Sequence, residues 1–279
     1  MRIAAIAMAR NESDIITESV SEALRWADDF VIYDHGSTDG TGQLAVEAGA
    51  TVIFGNREPW GEHLRQHTLD LVNELQPDWV WRIDIDEIYH PDPNPRLLFK
   101  DAQKDRSFCI RALQAEFWLT LDDVRRGLLL EDETVSVQKR RRWYTIGHRA
   151  LVAWRWRPDL RYYGLAIQKR KNVPLDSEGK HVAQLGPTFR ECLLQKHYNC
   201  RSLPQVLRRM QERREDFKTF GKYRYNVIID EKIGLHYLGP PVLGEEFDFA
   251  DNHALVYAWY KESLASLNER KGAFKWHNR

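Results

Sequence analysis

The stretch WRIDIDEIYH, from Trp81 to His90, contains three carboxylates, Asp84, Asp86 and Glu87, which follow a run of strand-forming residues. Asp84 and Asp86 are two residues apart, and in a strand such residues point to the same face. Two carboxylates there repel and raise each other's pKa unless a cation neutralises them. Mg²⁺ and Mn²⁺ bind one or two carboxylates and complete their shell with water and phosphate oxygens. The D-x-D pattern therefore predicts a divalent cation that binds a diphosphate; a solvated acidic turn with local caps is the alternative.

A second polar loop, DHGSTDGT, begins at Asp34 after another short apolar run. A carboxylate at that position can accept a hydrogen bond from a nucleotide base or a ribose hydroxyl. The alternative is that Asp34, Ser37 and Asp39 only shape a turn and cap the following helix. We expect Asp34 to be functional and Asp39 to be structural.

The first 85 residues alternate between strand and helix patterns, and this alternation places the carboxylates. Strands are predicted over 3–8, 30–33, 51–54 and 79–85. The helices between them are predicted from Asn11 or Ser13 to about Trp26, over 43–48, and around residues 64–75. This order predicts a parallel sheet with right-handed crossovers. Ligands bind beyond the carboxyl ends of such strands, where residues 11–12, 34–41 and 84–87 fall.

The rest of the chain has a mixed pattern. Strands are predicted over 107–119, 150–157 and 161–169, and helices over 202–217 and 253–267. We divide the chain into two halves of one domain, at 1–95 and 96–200, and a helical extension at 201–279.

Charge and composition restrict the function classes. The net charge is zero, but residues 1–100 hold 8 Lys/Arg and 18 Asp/Glu, whereas the remainder holds 33 and 23. The zero net charge argues against a nucleic-acid partner, and the asymmetry favours a cation in one place and phosphates nearby. Three cysteines without C-x-x-C spacing indicate reduced thiols. We find no pattern for a signal peptide or a membrane span, so a cytoplasmic location is expected.

The segments AMARNESDII, VIYDHGSTDGT and WVWRIDIDE resemble family 2 glycosyltransferases of the GT-A fold. His35 replaces the second Asp of the usual pattern. The later segment QKHYNCRSLPQ resembles a bacterial subgroup with a K/R-H-Y-x-x-R-S-P-x-Q pattern, into which Leu203 is inserted. The resemblance covers roughly residues 1–217. It implies that 1–95 is the nucleotide-sugar-binding half and 96–200 the acceptor-side half of one GT-A domain.

The resemblance implies an α/β fold: a Rossmann-like, mostly parallel sheet flanked by helices, with a C-terminal acceptor-side region and further helices. It also implies an inverting enzyme that moves a sugar from a nucleotide-diphosphate donor, most often UDP, to an acceptor hydroxyl. A glycan or glycolipid acceptor and bacterial surface glycan synthesis are expected. Peripheral contact with the inner face of the membrane stays open.

Site residues follow by matching positions to the family pattern. The resemblance assigns Asp86 and Asp84 to the metal, with His197 as a further ligand and His181 as the second choice. Because imidazole suits the later ions, Mn²⁺ is favoured over Mg²⁺. The nucleotide contacts are expected from Ala9, Asn11, Glu12, Asp34, Arg65 and Asp84.

An inverting transfer needs a carboxylate that accepts the acceptor's proton. Asp123 is our first candidate, followed by Asp122, Glu116 and Asp132; a surface carboxylate is the alternative for each. The basic segments 139–142 and 208–214 are interpreted as salt-bridged or as contacts to phosphates or an anionic lipid. Two other functions are weighed: a nucleotidyltransferase, and a non-catalytic nucleotide-binding scaffold.

Overall fold

The computed structural model describes residues 1–117, 135–141, 144–163, 173–199 and 201–220. Within these ranges eight strands form one mixed sheet in the order β3-β2-β1-β4-β7-β6-β8-β5. The strands are β1 Ile3–Ala9, β2 Asp29–Asp34, β3 Thr51–Phe54, β4 Trp79–Arg82, β5 Glu87–Tyr89, β6 Cys109–Phe117, β7 Tyr144–Arg155 and β8 Thr188–His197. Four of the seven pairings are parallel. The predicted α/β class and mostly parallel sheet are thereby confirmed.

Helices cover both faces of the parallel part of the sheet. They are α1 Ile16–Leu24, α2 Thr41–Glu47, α3 Arg65–Leu75, α4 Pro95–Lys104, α5 Val137–Arg140 and α6 Leu203–Phe220, and short 3₁₀ helices span Glu62–Leu64 and Val182–Gln184.

Strand β1 lies between two layers of helices, because its sequence IAAIAMA is apolar at every position and buried on both faces. Ile3 and Ala5 pack in the core cluster that contains α1, α2 and α4 residues. Ala4 and Ile6 pack on the opposite face with Leu69 of α3. A strand buried on both faces reads as a continuous apolar run, as expected for the centre of a parallel sheet.

The strand predicted over 150–157 is β7, which begins earlier, at Tyr144, and ends at Arg155. Two further boundary differences affect the candidate site. Strand β4 ends at Arg82, so Asp84 and Asp86 lie in the turn before β5 and not in the strand. Helix α1 begins at Ile16 without a side-chain cap, so the predicted capping by Asn11 or Ser13 is wrong. Asn11 has a φ of 51°, and its side-chain oxygen instead accepts a hydrogen bond from the backbone N–H of Thr38 (2.8 Å).

The C-terminal part is described only through α6, which confirms the helix predicted over 202–217. The predicted helix over 253–267 and most of the strand predicted over 161–169 lie outside the described residues, as do the last two residues of the strand predicted over 107–119. In the described ranges, no helix is long and apolar enough to cross a bilayer.

Helix α4 provides a test of local stability. The side chain of Asn94 accepts a hydrogen bond from the backbone N–H of Leu97 (3.1 Å) and caps the helix. We expect Asn94→Ala to lower the free energy of unfolding by about 1 kcal/mol, measured by urea denaturation. Asn94→Asp keeps an acceptor at this position and should stay near wild type. Equal losses in the two variants would contradict the capping role.

Candidate active site

The polar loops that follow β1, β2 and β4 meet at one edge of the sheet. Ala9 pairs with Asp34 in register, and the N–H of His35 donates to the carbonyl of Ala9 (2.9 Å). On the other side of β1, the N–H of Ile83 donates to the carbonyl of Ile6 (2.9 Å). The predicted convergence of these loops at the carboxyl ends of parallel strands is what the structure shows.

A closed turn presents Asp84. The N–H of Glu87 donates to the Asp84 carbonyl (2.9 Å), and the N–H of Asp84 donates back to the Glu87 carboxylate (2.8 Å). The Asp84 carboxylate accepts from Arg82 (2.9 Å) and from Arg65, both of which are buried. Burial opposes ionisation, but the two guanidiniums outweigh it and hold the pKa of Asp84 at about 2. Asp84 is therefore an anion whose partners are two arginines.

Asp86 faces a different set of partners from Asp84. Its Oδ2 lies 3.4 Å from Nε2 of His197 and 3.1 Å from Nη2 of Arg209. Burial would raise the pKa of Asp86, yet His197 and Arg209 hold it well below its ordinary value. The N–H of Tyr198 donates to the Asp86 carbonyl (2.7 Å), which joins the turn to the end of β8.

His197 lies between two carboxylates. Its Nδ1 is 2.8 Å from Glu116 Oε2, while Nε2 faces Asp86. Burial would lower the pKa of the imidazole, but Asp86 and Glu116 raise it well above its usual value. Strands β6 and β8 are paired in register at Glu116 and His197, so the sheet itself brings these two side chains together.

A buried guanidinium organises the loop after β1. Arg201 donates to Asp14 through Nε (2.7 Å) and to Glu12 through Nη2, and its Nη1 donates to the Tyr198 carbonyl (3.2 Å). Burial raises the pKa of Glu12 despite its arginine partners. For Asp14 the arginines prevail over burial and lower the pKa. Arg201 is completely buried, so this network connects residue 12 to the segment after β8.

The loop after β2 shows the turn contacts of the alternative interpretation, and the functional role of Asp34 stays a prediction. The Asp34 carboxylate accepts hydrogen bonds from the backbone N–H (3.0 Å) and the hydroxyl of Ser37. Asp39 accepts from the backbone N–H of Thr41 and of Ser13 (both 3.1 Å), in agreement with the expected structural role. A Cβ on Gly42 would lie 2.4 Å from Asp34 Oδ2, so glycine is needed there for the close approach of α2.

The donor atoms around Asp86 match a hard divalent ion that takes few protein ligands. A separation of 3.4 Å between Asp86 Oδ2 and His197 Nε2 suits two adjacent ligands of one ion, at the bond lengths of about 2.0–2.2 Å that such ions adopt. Among the described residues, no group of three or more His, Cys, Asp or Glu side chains is close enough to hold a metal. The remaining positions would be filled by water and phosphate oxygens.

No protein-family model matches the chain, and no curated relative matches it. Part of the chain resembles solved structures. Glucosyl-3-phosphoglycerate synthase from Mycobacterium tuberculosis, in complex with Mn²⁺, UDP-glucose and phosphoglyceric acid, is 24% identical over 40% of this chain and 43% of that chain, with a TM-score of 0.33. TarS of S. aureus with UDP-GlcNAc is 19% identical over 41% and 34%, with a TM-score of 0.31.

A third such structure is mannosyl-3-phosphoglycerate synthase from Rubrobacter xylanophilus, 20% identical over 42% of this chain and 41% of that chain, with a TM-score of 0.32. The alignments span less than half the length of each of these three proteins. Similarities at this level are too low to show a shared fold or a shared activity.

The other predicted site residues are distributed unevenly. The guanidinium of Arg65 forms an ion pair with Asp84, as described above. His181 caps the 3₁₀ helix at 182–184, where its Nδ1 accepts a hydrogen bond from the N–H of Ala183 (3.2 Å). Asp122, Asp123 and Asp132 lie outside the described residues. In the basic segment 139–142, Arg141 is buried and donates to the Arg201 carbonyl (2.7 Å).

Sequence reasoning missed the arginines that pair with the carboxylates at this edge. Arg82 stands two residues before Asp84, and a cation so close to a D-x-D pattern was a usable signal. Arg201 stands in the R-S element of the segment that follows β8. No comparable local signal identifies Arg209, which lies in the basic segment 208–214.

Proposed function

We propose that the protein is a metal-dependent inverting glycosyltransferase of the hexosyltransferase type. Its donor is a nucleotide-diphosphate sugar, and UDP is the nucleotide we favour. The observation that carries this proposal is the position of the Asp86–His197 pair. It lies at the carboxyl edge of the parallel strands, beside the loops of Glu12, Asp34 and Asp84. Open α/β sheets bind their ligands at this edge.

Each residue has a role in the proposal. Asp86 and His197 hold Mn²⁺ or Mg²⁺, with Asp84 close to the ribose and the ion. When bound, the ion supplies Lewis-acid stabilisation of the leaving diphosphate. Asp34 accepts a hydrogen bond from the base. Further nucleotide contacts come from Ala9, Asn11, Glu12 and Arg65.

The proton acceptor for the sugar-accepting hydroxyl is assigned to Asp123, with Asp122 as the alternative. Glu116, our other candidate, hydrogen-bonds His197, and we reassign it as the residue that orients this ligand. Proton transfer from the hydroxyl to a positioned carboxylate base contributes about 10²–10⁴-fold to the rate of such reactions. The acceptor is a glycan or glycolipid of a surface-glycan route, and the family 2 assignment belongs to this same proposal.

Thermal unfolding of the purified protein tests the nucleotide and the metal together. UDP, GDP, CDP and dTDP are added with Mn²⁺ or with EDTA, to wild type, to Asp86→Ala and to the surface control Asp101→Ala. A ligand at about 100 times its Kd stabilises by about 2.7 kcal/mol. That shifts the midpoint by about 2–4 °C per kcal/mol for a domain of this size.

We expect one nucleotide to stabilise wild type and Asp101→Ala only with Mn²⁺, and to leave Asp86→Ala unchanged. Stabilisation that persists in EDTA would contradict metal dependence. The absence of any shift would favour the non-catalytic scaffold, in which Arg209 permanently neutralises Asp86 and Glu12 (3.1 and 3.7 Å).

A further inference from the structure

Helix α6 places charged side chains on the carboxyl edge of the sheet. Arg209 lies against Asp86 (3.1 Å). One turn further along, Glu212 accepts a hydrogen bond from the side chain of Asn11 (2.5 Å). Asp216 follows after another turn. The contacted residues belong to the edge at which the nucleotide and cation are proposed to bind.

Asp216 bridges two arginines from different loops. Its Oδ2 lies 2.6 Å from Nη1 of Arg10, which follows β1. Its Oδ1 accepts from Nε (3.0 Å) and Nη2 (2.8 Å) of Arg57, which follows β3. The side chains of Arg10 and Asp216 are only 10% and 9% exposed. Two guanidiniums that converge on one buried anion form the arrangement by which proteins recognise phosphate.

The pair has more donors than Asp216 uses. Nε of Arg10 is buried and has no hydrogen-bond partner among the described residues. Glu215, the nearest further carboxylate, is 3.7 Å from Arg57 and about half exposed, so it adds little neutralisation. A buried polar atom without a partner is costly. A phosphate, which has more acceptor oxygens than a carboxylate, could satisfy it.

We propose that Arg10 and Arg57 form a phosphate-binding pair, and that Asp216 is an internal occupant which leaves when a phosphate-bearing ligand binds. The inference rests on the proposed function only for the identity of that ligand. The phosphate belongs either to the diphosphate of the donor or to a phosphate-bearing acceptor. Arg209 occupies the cation position at Asp86, as Asp216 occupies the phosphate position. Displacement of α6 therefore exposes the cation position and the Arg10–Arg57 pair at once.

This arrangement has a measurable consequence for affinity. When the binding-competent state is only a fraction of the population, the apparent Kd rises by the inverse of that fraction. Asp216→Asn removes the charge of the internal occupant at almost unchanged volume. It should therefore tighten the binding of inorganic pyrophosphate in EDTA by about tenfold, measured by isothermal titration calorimetry.

Arg10 and Arg57 are then tested in the Asp216→Asn background, in which their contact with residue 216 is already weakened. Arg10→Gln, made in the Asp216→Asn background, should weaken pyrophosphate binding by about tenfold, because a charge-assisted hydrogen bond to phosphate is lost. Arg57→Gln provides an independent second variant. Asp101→Asn and Arg25→Gln are the matched controls, since Asp101 pairs with Lys104 and Arg25 with Glu22 in exposed ion pairs. Denaturation curves confirm that each variant is folded.

Unchanged pyrophosphate affinity in Asp216→Asn, or no loss on adding Arg10→Gln, would overturn the proposal. Separate titrations with UDP in the presence of Mn²⁺ and with uridine identify the source of the phosphate. If Arg10→Gln weakens UDP but not uridine, the pair holds the donor diphosphate. If UDP is unaffected and does not displace pyrophosphate, the pair holds a phosphate of the acceptor. If pyrophosphate responds but no nucleotide binds any variant, the donor assignment fails and the phosphate-binding pair stands.

Discussion

Arg201→Met should lower the free energy of unfolding by about 3–5 kcal/mol, the usual cost of removing one partner from a buried ion-pair network. Arg201 is completely buried and donates to Asp14 (2.7 Å), to Glu12 and to the Tyr198 carbonyl (3.2 Å). Methionine fills similar space but leaves two carboxylates without their main counter-charge. Urea denaturation at pH 7 measures the loss. Arg25→Met, an exposed arginine paired with Glu22, is the control and should change stability by less than about 1 kcal/mol.

The pH dependence of this loss separates charge from packing. In wild type, Arg201 lowers the pKa of Asp14 against the effect of burial. A carboxyl group with a lowered folded-state pKa contributes stability above its unfolded pKa of about 3.9, and this contribution disappears as the pH falls through the folded pKa. In Arg201→Met, burial without this counter-charge raises the pKa of Asp14 and Glu12. The difference in free energy of unfolding between the two proteins should therefore narrow as the pH falls from 7 towards about 4 and below. A difference that stays constant would attribute the loss to packing.

The parallel half of the sheet could be predicted because its signals are local. The apolar run of β1 is buried on both faces, and Pro77 stands two residues after the end of α3 at Leu75. Once four strands and three intervening helices are recognised, connection rules give the parallel arrangement. The convergence of the loops at residues 12, 34 and 84 then follows from topology alone.

The contacts that decide the chemistry of this edge are long-range and could not be predicted in this way. The hydrogen bonds of Arg201 to Asp14 and of Arg10 to Asp216 join residues 187 and 206 positions apart. Strand geometry, applied to the end of the strand predicted over 79–85, predicts that Asp84 and Asp86 point to the same face. The chain instead turns after Arg82, and the two carboxylates have different partners.

The role of α6 shows the same limit. Its alternating arginines and acids are typical of a solvated, salt-bridged helix, and this pattern alone does not identify which charges leave the helix to meet the sheet. Arg209 and Asp216 do so in the structure, and Asp216 is buried. The acidic front and basic back of the chain, noted from composition, are thus joined at this edge.

Glu116→Gln should weaken Mn²⁺ binding by about 10–100-fold, the range seen when a group that orients a metal-binding histidine is altered. Glu116 Oε2 is 2.8 Å from Nδ1 of His197, which leaves Nε2 directed at Asp86. The charged carboxylate favours the proton on Nδ1, so the proton on Nε2 is the one that Mn²⁺ would replace. A neutral amide keeps the shape but weakens that preference. Nε2 of Gln114 lies 2.6 Å from the same nitrogen, and an amide N–H there can only donate, so Gln114→Ala tests whether this contact opposes the role of Glu116.

Calorimetric titration with Mn²⁺ measures this effect without any substrate. His197→Ala provides the reference for loss of the ligand itself, and Glu22→Gln is the control for removal of an exposed carboxylate. If Glu116 is instead the base that accepts the acceptor's proton, Glu116→Gln leaves Mn²⁺ affinity at the wild-type value and lowers only the rate of transfer. A loss of affinity approaching that of His197→Ala assigns Glu116 to orientation of the ligand, and the proton acceptor must then come from another carboxylate, with Asp123 the first to test.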